Sequence, residues 1–354
     1  MVEYLSGGRV QGSSTLTSAP PQTSWKKLGT ITINSGSATG DLDITAHDNL
    51  MVLGYMEHDN GSNSNGLWYQ FNGVNSGNKY AVRYNADFQQ GDPTPQNTRN
   101  DIWCYYAGTS LYKFNVGTIV DPDGAEKLYI GHTADTDAIT GSTTVRTMEV
   151  VGKWKDTTSP NNRITNVKYG SWTNVSDTSE CVVLGMDNDE SDSGTNFWQE
   201  LANVSDDSSG DDLATGTFAA KKWLYFEAYM KGSAAQPRMT LEFNGENSGS
   251  NYFARLSNNG GGAASESGES KLVISEADQE NGSYTYGYIY NNASQQKLII
   301  AHNTKLGGSS ASSAPSRTEV FGSWSNTSDQ ITSMNLGTHA NTYANASLRV
   351  WGGE

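Results

Sequence analysis

Apolar positions along this chain come in short runs, each broken by a cluster of Gly, Asn, Ser, Asp or Pro. Residues 50–56 and 223–230 are nearly continuous apolar stretches that suit buried strands. Residues 67–71, 80–84, 127–132, 145–151 and 164–169 follow as further strands between turn-forming clusters. No stretch carries a sustained 3.6-residue apolar period with caps at its ends, so helices are not expected. About eight or nine strands in roughly 160 residues predict an antiparallel two-sheet β-sandwich, with a jelly-roll-like path.

That unit occurs twice. Phe71-Asn72-Gly73 through Arg83 returns as Phe243-Asn244-Gly245 through Arg255, with eight of 13 positions identical at an offset of 172. Residues 127–132 return at 297–302, Glu149 to Trp154 at Glu319 to Trp324, Trp25 to Leu28 at Trp198 to Leu201, and 181–185 at 348–352. The matches keep their order, so the chain reads as a tandem duplication of a sandwich large enough to hold its own core. The expected organisation is an extended N-terminal arm (1–24), a first sandwich (25–186), an acidic connector (187–194) and a second sandwich (195–354).

Composition narrows the function. The 354 residues carry 23 Lys and Arg against 38 Asp and Glu, a net charge of −15 that argues against a nucleic-acid partner. Aromatic residues make up 10% of the chain, too many for a disordered polymer. No apolar run approaches the ~18 residues that cross a bilayer, so no membrane insertion is expected. Residues 1–24 lack the apolar segment of a Sec signal peptide. The two cysteines, Cys104 and Cys181, lie in apolar runs and read as buried free thiols, with a single bridge as the alternative.

The duplication sorts the candidate residues. Shared residues are most simply scaffold: Phe71, Asn72, Gly73, Tyr80, Arg83 and Trp154 in one copy, Phe243, Asn244, Gly245, Tyr252, Arg255 and Trp324 in the other. The Phe-Asn-Gly segment is expected to end a strand in a turn, with Asn and Gly taking positive φ; a sugar contact is the alternative. Arg83 and Arg255 are expected to pair with carboxylates such as Glu149 or Glu319, and His132 and His302 to sit at equivalent strand ends. Tyr284, Tyr286, Tyr288 and Tyr290 alternate along one strand face, matched against Tyr112, Phe114, Val116 and Thr118. The match favours a core or subunit interface over a ligand platform. Trp68 and Trp172 are unduplicated aromatics that a sugar binder would present in an open cleft.

Catalytic chemistry is not apparent. The histidines have no zinc spacing, there is no nucleophile elbow, and no carboxylate sits in an apolar run that would raise its pKa. Asp187, Asp189 and Asp192 resemble a calcium loop in composition but lack its spacing, as do Asp206-Asp207 and Asp211-Asp212, so solvated acid is the reading and no cofactor is expected.

The motifs resemble those of duplicated β-sandwich structural proteins of marine tailed viruses. The resemblance rests on Leu5-Ser6-Gly7-Gly8-Arg9, on the Phe-Asn-Gly…Tyr…Arg stretch, on Glu319 to Trp324 followed by Ser328-Asp329 and Ile331-Thr332, and on the closing Ala346 to Gly352. It implies a non-enzymatic virion structural protein exposed on the particle as a capsid decoration or a tail-associated piece. Its partners would be further copies of itself and other virion proteins. The alternative expectation is an adhesin that binds host surface glycans.

Overall fold

A computed structural model describes residues 25–58, 66–76, 78–88, 94–105, 111–136, 145–155, 163–187, 196–233, 238–275, 282–306, 314–339 and 341–354, and the backbone of β1 (Val2–Tyr4) and β2 (Val10–Gly12). These first two strands pair with each other antiparallel; the rest of the expected extended arm lies outside the described residues.

The first half contains β3 (Lys26–Ile33), β4 (Thr39–Asp43), β5 (Asn49–Glu57), β6 (Leu67–Phe71), β7 (Tyr80–Ala86), β8 (Thr94–Arg99), β9 (Ile102–Tyr105), β10 (Tyr112–Val120), β11 (Lys127–Thr136), β12 (Val145–Trp154), β13 (Asn166–Gly170) and β14 (Ser179–Met186). The second contains β15 (Gln199–Asp206), β16 (Asp212–Ala214), β17 (Trp223–Gly232), β18 (Met239–Phe243), β19 (Tyr252–Asn258), β20 (Ala263–Glu269), β21 (Leu272–Val273), β22 (Ser283–Tyr290), β23 (Lys297–Lys305), β24 (Ser316–Trp324), β25 (Met334–Thr338) and β26 (Tyr343–Gly353).

The eight-stranded sheets run β3-β14-β5-β10-β11-β12-β7-β8 and β15-β26-β17-β22-β23-β24-β19-β20, the same order with every label advanced by twelve. The four-stranded sheets β4-β13-β6-β9 and β16-β25-β18-β21 correspond in the same way. The protein is therefore an all-β chain of two tandem antiparallel sandwiches. Twelve strands per half exceed the eight or nine expected, because polar edge strands such as β8 and β20 carry little apolar signal.

Pairing register also corrects one match between the halves. Val116 lies opposite His132 and Tyr286 opposite His302, so the tyrosines at 284, 286, 288 and 290 correspond to Phe114, Val116, Thr118 and Val120. The earlier match was two residues out of step.

Alternation along each strand sends successive side chains to opposite faces. On β5, Leu50, Val52 and Met56 enter the first sandwich, while Met51, Leu53 and Tyr55 face away from it. Those outward side chains are buried too, because the large sheet of one half lies against the large sheet of the other. A third, central core results, holding Tyr55, Phe114 and Leu184 from the first half and Trp223, Tyr290, Leu298 and Phe321 from the second. The order of layers is four strands, eight, eight, four. Among the described residues no helix is long and apolar enough to cross a membrane.

Candidate functional site

The two large sheets meet at their middles. On β11 and β12, His132 and Glu149 are cross-strand neighbours; on β23 and β24, His302 and Glu319 are the same pair repeated. Stacking brings all four together. The rings of His132 and His302 stand 4.5 Å apart, His132 Nε2 is 3.6 Å from Glu149 Oε1, and Glu319 is hydrogen-bonded to Glu149. Arg317 reaches Glu319 at 3.3 Å, and the Tyr286 ring lies 5.3 Å from His302. The histidines thus sit in mid-strand, facing each other, and not at strand ends as expected.

Burial sets the charges. It pushes the Glu319 carboxyl up to about 7, and the negative Glu149 beside it adds to the rise. For Glu149 burial works in the same direction, but His132 and the hydrogen bond from Glu319 outweigh it and hold the group below its ordinary value. Burial and the neighbouring His132 push His302 down to about 3. Below pH 7 the carboxyl pair therefore holds one proton beside a neutral imidazole, and that proton leaves as pH rises through about 7. Sequence spacing missed this pair, because its members are 170 positions apart and each lies in an ordinary alternating strand. Hydrogen-bonded carboxyl groups stand closer than the ~5 Å or more that glycoside hydrolysis needs on either side of a sugar bond. The pair suits adhesion between the sheets better than catalysis.

From this meeting point the faces close in one direction and open in the other. The closed side joins large aromatic side chains of the two sheets. Tyr55 stacks on Tyr290 at 4.0 Å, Phe88 meets Phe321 at 5.5 Å, and Phe114 meets Trp223 at 6.0 Å. Polar ties rim it: Lys222 with Glu180 at 3.0 Å, Gln296 with Thr136, and Gln295 with Glu57. On the open side, Ile130 and Leu128 continue outward from His132 on one sheet, and Tyr284 continues outward from Tyr286 on the other. A depression of about 180 Å³ lies there, lined by Arg83, Asn85, Ile130, His132, Glu149 and Val151. Arg83 thus shares this depression with Glu149. Arg255 takes another partner than the one expected, reaching across to the Asp87 carbonyl at 3.3 Å and its carboxylate at 3.8 Å.

The tyrosine stripe grades from solvent to core. Tyr284 is exposed, Tyr286 and Tyr288 are half-buried, and Tyr290 is buried in the central core. Tyr288 packs on Tyr225 at 5.0 Å and on Trp198 at 6.1 Å. Trp68 is buried inside the first sandwich, and Trp172 lies edge-on to Trp103 at 5.0 Å, so neither forms an open aromatic cleft.

The shared motif makes the same turn in both halves. Asn72 and Gly73 have φ of 53° and 66°, and Asn244 and Gly245 have 54° and 72°. Asn72 Oδ1 accepts from the Thr165 and Asn166 amides at 2.8 and 3.0 Å; Asn244 Oδ1 accepts from Thr332 and Ser333 at 2.8 and 3.1 Å. The Tyr80 and Tyr252 hydroxyls accept from the Phe71 and Phe243 amides at 2.8 and 2.9 Å. Trp154 and Trp324 each stand 5.6 Å from their Phe. One difference is chemical: Glu246, in the place of Val74, accepts from the Trp324 indole N–H at 2.7 Å.

A second polar cluster fills the core of the first sandwich. Asn115 Oδ1 accepts from the Tyr69 and Tyr129 hydroxyls at 3.0 and 3.2 Å, while its Nδ2 donates to Thr133 at 2.9 Å. The Cys104 thiol donates to Tyr129 at 3.0 Å, and Cys181 lies 3.7 Å from the Tyr69 hydroxyl. Gly131 makes room for this: a Cβ there would stand 2.1 Å from the Tyr129 hydroxyl. Both cysteines are free, and burial pushes the Cys181 thiol up to about 12 and the Cys104 thiol well above its ordinary value, so both are unreactive.

Of the acidic candidates, Asp187 accepts from His47 at 2.9 Å and from the Asp48 amide at 2.8 Å, whereas Asp189 and Asp192 lie outside the described residues. Asp206 and Asp207 accept from Tyr343 at 3.0 Å and from Asn345, as ordinary loop anchors. Among the described residues no group of three or more His, Cys, Asp or Glu is placed to hold a metal ion.

No protein-family model matches the chain, and no curated protein matches its sequence. Among solved structures, domains LG4-5 of the mouse laminin α1 chain are 9% identical over 97% of this chain and 94% of theirs, with a TM-score of 0.18. The LG1-3 region of the laminin α2 chain is 9% identical over 97% and 63%, with a TM-score of 0.21. A turret protein of Sulfolobus turreted icosahedral virus is 8% identical over 94% and 98%, with a TM-score of 0.12. Scores of that size carry no functional argument.

Proposed function

We propose that this chain is a non-enzymatic structural component of a virus particle. In this reading it is displayed on the particle surface, as a capsid decoration or a tail-associated piece, and assembles with further copies of itself and with other virion proteins. The observation that carries the reading is the central core. Two copies of one sandwich are fused face to face, with large aromatic side chains buried between them. That arrangement supports a stiff building block, and the motif resemblance supports its place on a virion. Quantitative mass spectrometry and immunogold labelling of purified particles test it. Stoichiometric peptides and surface labelling are expected, and absence of the chain from washed particles overturns the reading.

The second reading is a glycan-binding adhesin, favoured by the exposed Tyr284 beside Tyr286 at the open side of the sheets. Glycan-array screening separates the two: saturable binding to one glycan class, lost in Tyr284→Ala, would put the adhesin first.

A further inference from the structure

Four equivalent positions have opposite fates in the two halves. Val120, Leu128, Ile130 and Val151 are 46, 58, 54 and 48% exposed in the first half. Their counterparts Tyr290, Leu298, Ile300 and Phe321 are at most 1% exposed. The four exposed side chains are contiguous: Val120 lies opposite Leu128, Ile130 opposite Val151, and Leu128 and Ile130 are i and i+2 on one strand face. A strip of four adjacent exposed aliphatics on a sheet face marks a contact surface.

We propose that this strip is a docking surface for a second copy of this chain. What covers it can be read from the other half, where the same four positions are covered by a copy of the same fold. Tyr55 and Phe88 of the first sandwich lie on Tyr290 and Phe321 of the second. The strip is also continuous with that interface, since Ile130 lies two residues from His132, which touches His302. Burying it removes apolar area from water, the usual driving force for association. The proposal rests on the self-assembling reading above and names the surface that reading needs.

The test is light-scattering mass on the isolated full chain across its soluble concentration range. The wild type is expected to run as a multiple of 38.2 kDa, and Leu128→Glu/Ile130→Glu as a 38.2 kDa monomer with a melting temperature within about 2 °C of wild type. Val151→Glu is a second route to the same outcome if the double variant fails to fold. A wild type that stays monomeric, or folded variants that keep the wild-type mass, overturns the proposal. The mass is read without particles, so absence of the chain from virions would leave this result standing, and a monomer found on virions would remove only the surface.

Discussion

The two sandwiches share strand order, turn chemistry and aromatic clusters, yet they differ inside and outside. Inside, the first holds Asn115, Tyr69, Tyr129, Tyr169 and Cys181 where the second has Thr285, Leu241, Ile299, Leu336 and Leu348. The cross-strand pair Asn115–Thr133 becomes Thr285–Asn303, the same two residue types exchanged between adjacent strands. Outside, Phe321 and Ile300 are buried where Val151 and Ile130 are exposed. A common backbone therefore tolerates a polar or an apolar filling, the polar one held by the hydrogen bonds that Asn115 makes to Tyr69, Tyr129 and Thr133. The fate of an outer-face residue depends on what stacks on it, not on the strand that carries it.

The strongest way to break this comparison is to truncate one position in both halves. Phe321→Ala is expected to lose about 3–5 kcal/mol in denaturant unfolding, through the cavity it opens in the central core, while Val151→Ala stays within about 0.5 kcal/mol of wild type. Equal losses would mean that the sheets do not stack as described.

A smaller effect tests the inner difference. Asn115→Thr strips the Tyr69 and Tyr129 hydroxyls of their shared acceptor and is expected to cost about 1–3 kcal/mol, against about 1 kcal/mol for Thr285→Ala in the apolar core. If the first substitution costs no more than the second, the polar network contributes nothing of its own.

The smallest effect is in pH. Burial raises Glu319 to about 7, so its contribution to stability is fully present below pH 4.5 and is lost as pH rises through 7. His302, pushed by burial down to about 3, works the other way, losing its contribution as pH falls from 6.5 towards 3. Above pH 6.5 the carboxyl is the one of this pair still titrating. Glu319→Gln should therefore gain on wild type by about 1 kcal/mol between pH 6 and 8 in paired melts. A constant difference across that range would show that the carboxyl pair shares no proton.

Much of the fold was legible because it is written locally. Alternation gave the β class, and the Asn-Gly pairs gave the turns. The offset between Glu149 and Glu319 gave the duplication. Polar edge strands such as β8 were missed because a strand with little to bury has no pattern to read. The tyrosine match slipped by two residues because alternation has a period of two, which leaves every even shift equally good until a partner strand fixes the register.

Sequence by itself determined that there are two β-sandwiches, and which residues turn and pack within each, since those outcomes follow from neighbours a few positions apart. The tertiary structure alone decided that His132 meets His302, that Glu149 and Glu319 come side by side, and that an aliphatic strip is exposed while its counterpart in the other half is covered. Those outcomes depend on how two finished sheets lie on each other, and no spacing along the chain encodes that geometry.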